Sequence, residues 1–98
     1  MEITRNEHFQ LKDGKQKEFV HLFDSQILPV MRQQAGFKNE VTLMDSNRAL
    51  VISFWDERRN ADTYQASVYP KLLEKLNPII QGPPKVETYE IAATTLAA

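Results

Sequence analysis

An α+β fold of order βαββαβ is predicted by three features of this 98-residue sequence. The second half runs strand, amphipathic helix, strand. Leu50 to Trp55 is an apolar run, Ala61, Tyr64, Val68, Leu72 and Leu76 recur at helical spacing, and Val86 to Ile91 follows the breaker Gly82-Pro83-Pro84. The first half repeats that order, which gives four strands in an antiparallel sheet with both helices on one face.

The elements follow in order. Ile3, Phe9 and Leu11 share one strand parity with Arg5 and Glu7, while Thr4, Asn6, His8 and Gln10 share the other, so strand one has a greasy and a polar face. Lys12-Asp13-Gly14 is turn chemistry. Between Lys15 and Gln34, the residues Phe19, Val20, Phe23, Ile27, Val30 and Met31 fall on one arc of a helical wheel and form the expected buried stripe. Pro29 interrupts it by removing the bond its N–H would give to the carbonyl of Ser25, which predicts a kink or break, and Gly36 is the expected left-handed cap. Phe37 to Asp45 alternates as strand two, and Asp45-Ser46-Asn47 suits a hairpin into strand three at Arg48. The second helix is expected from Glu57 to Leu76, N-capped by Asp56 and split by Pro70, with Asn77-Pro78 stopping it. Residues 92–98 are a small, weakly patterned tail, expected to fray unless a partner holds it.

Composition narrows the function classes. Residues 1–98 make a single domain, small enough that apolar surface tends to stay exposed unless another chain covers it. No cysteine is present, which removes disulfides, thiolate metal sites and cysteine nucleophiles and suits a cytoplasmic setting. Twelve basic and thirteen acidic residues are interspersed, so nucleic acid finds no one-sign footprint. No apolar run approaches a bilayer span and no leader pattern is read, so no membrane partner is expected. Only three glycines occur, with no phosphate-cradling loop or dinucleotide fingerprint, and no Ser/His/Asp order is present. The two histidines, His8 and His21, stand in no metal-ligand spacing, and His21 lies opposite the buried stripe.

Phe9-Gln10-Leu11-Lys12-Asp13-Gly14, Ile27-Leu28-Pro29-Val30 with Ala35-Gly36-Phe37, Trp55 closing strand three, Tyr69-Pro70-Lys71-Leu72, and Gly82-Pro83-Pro84 before Val86-Glu87-Thr88-Tyr89 together resemble the antibiotic biosynthesis monooxygenase-like proteins over nearly the whole chain. The resemblance implies a ferredoxin-like subunit whose sheet packs against that of a second copy, a dimeric α+β barrel. It also implies a group that contains cofactor-independent oxygenases of quinol-like or anthrone-like substrates, haem-degrading enzymes, isomerases and proteins of no known activity. The functional positions of the haem-degrading branch fall at Glu7, Tyr64 and Glu74 and hold none of its residues, so no haem is expected, and no other cofactor or metal.

Within that frame the candidate site residues follow. Glu7 faces the helices by parity, and a carboxylate desolvated there suits a general base for a phenolic or activated C–H proton, while a structural salt bridge to Arg5 is the competing role. Tyr64 stands at the edge of its helical stripe as an orienting donor, and His8, on the face a dimer would cover, is the next candidate for proton transfer. Trp55, Tyr69 and Phe23 are the candidate substrate-contacting aromatics. The expected function is a small homodimeric, cofactor-independent monooxygenase of a planar aromatic substrate. The alternatives are a non-catalytic ligand-binding or structural module of the same fold and an isomerase using the same Glu7. A polar-lined pocket open to solvent between strand one and helix two would favour catalysis, and a closed apolar filling would favour the module.

Overall fold

A computed structural model describes residues 2–96. Its four strands are β1 (Ile3–Gln10), β2 (Phe37–Asp45), β3 (Arg48–Trp55) and β4 (Lys85–Glu90), in the antiparallel order β2-β3-β1-β4. The first helical segment comprises α1 (Gln16–Leu22), a π turn over Phe23–Ile27 and α2 (Leu28–Arg32). The second comprises α3 (Arg58–Ser67), α4 (Tyr69–Leu76) and a 3₁₀ turn over Asn77–Ile79. Both segments cover one face of the sheet, where Ile3, Phe9, Val51 and Trp55 meet Phe19, Phe23, Ile27, Met31, Tyr64, Leu72 and Leu76 in one core.

Both prolines break their helices as expected, each at the start of a new piece: Pro29 in the first turn of α2 and Pro70 in that of α4. The π turn ahead of Pro29 is the larger departure. The Leu28 N–H reaches back five residues to the Phe23 carbonyl, so the turn holds one residue more than an α-helical turn would. That slip corrects one expectation, because Val20 leaves the buried stripe and is 49% exposed while Phe19, Phe23, Ile27 and Met31 carry the packing. A second correction concerns Asp56. The cap position of α3 belongs to Glu57 and has no side-chain cap bond, while the Asp56 carboxylate accepts from Asn60 Nδ2 at 2.8 Å. Ala92 to Leu96 has no regular structure, and Ala97 and Ala98 lie outside the described residues.

The alternating face assignments hold across the sheet. On the outer face the rows Leu43–Leu50–His8–Lys85 and Val41–Ile52–Asn6–Glu87 run straight across all four strands by register. Ser46 and Asn47 alone connect β2 to β3, with Ser46 at φ 55°.

Gly36 joins the first helical segment to the sheet. Its φ is +82°, and a β-carbon there would run into the Asp56 carboxylate and the Asn60 side chain, while the Asp56 N–H donates to its carbonyl at 2.9 Å. Gly14, at φ +74°, faces open space. Gly14→Ala is therefore expected to cost roughly 1 kcal/mol from backbone strain alone. Gly36→Ala adds overpacking and is expected to cost about 2–4 kcal/mol. Chemical-denaturation midpoints of the two variants check the ranking, and equal midpoints would refute it.

Candidate active site

The inner face of β1 alternates Ile3, Arg5, Glu7 and Phe9, all at 3% exposure or less. Two opposite charges are thus placed by strand period alone on a surface that the helices seal. Isolated charges there would be very costly, and the structure pairs them: Arg5 Nη1 donates to Glu7 Oε1 at 2.5 Å. The rest of the guanidinium is held from α3 and α4. Its Nε and Nη2 donate to Gln65 Oε1 at 2.8 and 2.5 Å, and its Cζ lies 4.2 Å from the Tyr69 ring centroid and 5.1 Å from that of Tyr64. Gln65 is itself an exposed residue of α3, and its amide reaches in to the buried pair.

Two aromatic rings, Tyr64 and Tyr69, lie against the guanidinium of this pair, and Trp55 packs on Tyr64. Trp55 and Tyr64 approach to 5.1 Å between centroids, and Tyr64 and Tyr69 to 6.1 Å. Trp55 Nε1 donates to Ser53 Oγ at 2.9 Å, and Ser53 Oγ donates to the Arg5 carbonyl at 3.4 Å, so the indole is tied back to the strand that carries the charges. Two buried polar atoms in the cluster have no hydrogen-bond partner among the described residues: Glu7 Oε2 and Tyr69 Oη. Burial pushes the Tyr64 and Tyr69 hydroxyls well above the ordinary tyrosine range, with the Glu7 charge adding to the shift and Arg5 opposing it. At Tyr69 both groups also act through hydrogen-bonding proximity, so the two unpartnered atoms are neighbours whose geometry falls short of a bond.

The structure therefore gathers Glu7, Tyr64, Tyr69 and Trp55 in one place and leaves two candidates elsewhere. Phe23 stacks on Phe19 at 5.8 Å beneath the first helical segment. His8 lies on the outer face with its side chain 48% exposed, its Nε2 3.3 Å from Glu87 Oε1. Sequence reasoning weighed Arg5 only as a salt-bridge partner and missed Gln65. The signal for Arg5 was an opposite charge two residues from Glu7 on a strand face otherwise filled by Ile3 and Phe9. Gln65 offered none, since its neighbours Ala66 and Ser67 mark a solvent-facing stretch. The open pocket that would have favoured catalysis outright is not what the cluster presents: Glu7 and Tyr64 are each 2% exposed and Trp55 is sealed, although the filling is polar at its centre. Among the described residues no group of three His, Cys, Asp or Glu side chains converges to hold a metal ion, and no helix is long and apolar enough to cross a membrane.

The tyrosine shifts have a stability consequence. A folded-state pKa raised above the unfolded value favours the neutral hydroxyl, so this contribution is fully present below the ordinary value of 10.0 and is lost as pH rises beyond it. Tyr64→Phe is expected to flatten the alkaline limb of the stability curve by about 1.4 kcal/mol per pH unit above that value. Denaturation of wild type and variant at a series of alkaline pH values checks this, and parallel curves would refute it.

No family model and no curated protein matches the chain. Solved structures do. A cofactor-independent oxygenase from Streptomyces nogalater, SnoaB, superposes with a TM-score of 0.81 at 16% identity, covering 96% of each chain. A protein of unknown function from Nitrosomonas europaea gives 0.81 at 16% identity over 99% of this chain and 95% of its own. A Bordetella bronchiseptica protein described as a "putative antibiotic biosynthesis monooxygenase" gives 0.78 at 15% identity over 91% and 95%. Identities this low speak for architecture, and on that basis the chain has the α+β fold of the antibiotic biosynthesis monooxygenase-like structures.

Proposed function

We propose that the chain is a small homodimeric, cofactor-independent monooxygenase that acts on a planar phenolic substrate of quinol or anthrone type, bound between β1 and the second helical segment. The observation that carries this reading is the divided carboxylate of Glu7, one oxygen held by Arg5 and the other buried with no hydrogen bond made, in the cluster that also holds the unbonded Tyr69 hydroxyl. An orphaned buried acceptor costs about 1–3 kcal/mol, a cost that a ligand hydroxyl would relieve. Glu7 Oε2 is the atom to accept the proton of an acidic C–H or O–H, and Arg5 supplies fixed positive charge for the resulting oxyanion. With an anthrone, the carbanion reduces dioxygen and combines with it. The peroxide so formed then loses its remaining C–H proton as the O–O bond breaks, so that one oxygen atom stays as the new carbonyl and the other leaves as water. Entry to the sealed cluster would proceed past Gln65, the exposed residue among those that hold the pair.

In an oxygen-electrode assay with a dihydroxyanthrone, corrected for autoxidation, wild type is expected to consume dioxygen. Glu7→Gln, which keeps an acceptor for Arg5, is expected to lose about 10²–10⁴-fold in rate. A second reading has its own support, because Glu7, Tyr64 and Trp55 are closed to solvent, as in a module whose interior is simply filled. Wild type that consumes no dioxygen with any quinol or anthrone offered would select the module, and a Glu7→Gln variant as fast as wild type would move the base elsewhere, with His8 next.

The dimer reading rests on the outer sheet face, where Val41 is 40%, Leu43 48% and Tyr89 55% exposed beside half-buried Leu50, Ile52 and Phe54. A monomer that left this patch in water would carry an association surface with no partner. Sedimentation velocity is expected to show a dimer at micromolar concentration, shifted to monomer by Ile52→Glu. A stable wild-type monomer would refute it.

A further inference from the structure

Among the residues that hold the buried pair, Gln65 alone is exposed, and it reaches Arg5 through a single atom. Its Oε1 accepts from Arg5 Nε at 2.8 Å and from Nη2 at 2.5 Å. Arginine only donates, so the amide has to present its oxygen, and a carbonyl oxygen has the two lone pairs that this fork requires. Arg5 and Glu7 balance each other's charge, so the acceptor that completes them is a neutral one. In the same cluster Glu7 Oε2 and Tyr69 Oη are buried with no hydrogen bond made. The helical layer thus bonds Arg5 fully and leaves its neighbours unfilled, with one exposed side chain in the last turn of α3 between them and water.

We propose that Gln65 Oε1 occupies the seat of a ligand carbonyl, and that an aromatic ketone enters the cluster by taking over its two bonds to Arg5 while the amide turns out to water. The inference rests on the pocket proposed above between β1 and the second helical segment, and it narrows the ligand to one with a neutral carbonyl. The exchange replaces one carbonyl acceptor by another, so Arg5 loses no bond, and the released amide is hydrated. A hydroxyl elsewhere on the ligand then gains the open Glu7 oxygen, a bond the free protein does not make. A ligand without the carbonyl leaves two N–H groups of a buried charge with no acceptor, the costlier kind of loss. A carboxylate in the same seat sets a second negative charge against one guanidinium, so the site discriminates against acids as well as hydrocarbons.

The test is equilibrium dialysis of the full chain against fluorenone and against fluorene, planar aromatics that differ only in a carbonyl or a methylene at one position. Wild type is expected to bind the ketone about tenfold more tightly. Gln65→Ala, which empties the seat, should tighten the ketone about tenfold further and leave fluorene unchanged. Gln65→Glu, which sets a carboxylate on Arg5, should abolish the ketone preference. A purely structural role for Gln65 predicts otherwise, with both probes weakened together by alanine. Gln65 is exposed, so both variants are expected to keep the fold, which circular dichroism checks, and the wild-type preference needs no variant. Equal wild-type affinity for the two probes, binding of neither, a ketone weakened by Gln65→Ala, or a preference that survives Gln65→Glu would each overturn the proposal. Oxygen consumption is read separately. Wild type that consumes dioxygen with a dihydroxyanthrone despite any of those results keeps Glu7 as base and loses only the Gln65 seat. Ketone selectivity that follows Gln65 without oxygen consumption keeps the seat and assigns it to a binding module.

Discussion

The contact between Arg5 and Glu7 is the constraint around which the helical layer is arranged. Both residues come from the same central strand, at positions where neighbouring parity sites hold Ile3 and Phe9, so neither charge can turn to water without reversing the strand. A buried pair of this kind gains little over an apolar filling of equal volume, yet losing one partner typically costs about 3–5 kcal/mol. The second helical segment therefore has to bring donors, acceptors and rings to a fixed place. Gln65 on α3 and Tyr69 at the start of α4 do so from the two sides of the break near Val68, which makes that break a means of aiming two side chains at one guanidinium.

The same strand serves two layers with opposite chemistries. Its inner residues join a sealed aromatic and ionic cluster, and its outer residues Asn6 and His8 lie in transverse rows that pass from aliphatic to polar across the sheet. Because antiparallel pairing fixes both faces at once, a one-residue slip of β1 against β3 would expose the ion pair and bury His8. Register is thus specified from both sides, and the tie from Trp55 through Ser53 to the Arg5 carbonyl holds the third strand to it.

Much of this was legible in the sequence because it depends on local rules. Strand parity put Glu7 toward the helices and His8 away from them, Pro29 and Pro70 marked where hydrogen bonds must fail, and Gly36 stood where positive φ was required. What escaped depends on contacts between residues far apart in the chain. Gln65 lies 60 positions from Arg5, and nothing in the pattern around it distinguishes a side chain reaching inward from one in water. Asp56 satisfies every local criterion for a helix cap, yet its carboxylate is engaged by Asn60 instead. Val20 fits an ideal helical wheel and fails only because the helix beneath it is not ideal.

That irregularity has a consequence for how the chain can be aligned. A ring closed over five residues in place of four stores one residue that an uninterrupted helix would lack, without turning the segments on either side out of their packing. Length at Phe23–Ile27 is accordingly a degree of freedom separate from side-chain identity. A counterpart with a regular first helix matches this sequence only if a single-residue gap is opened inside a helix, where gaps are ordinarily penalised most. Superposition of backbones passes over such a gap, while comparison of letters stops at it.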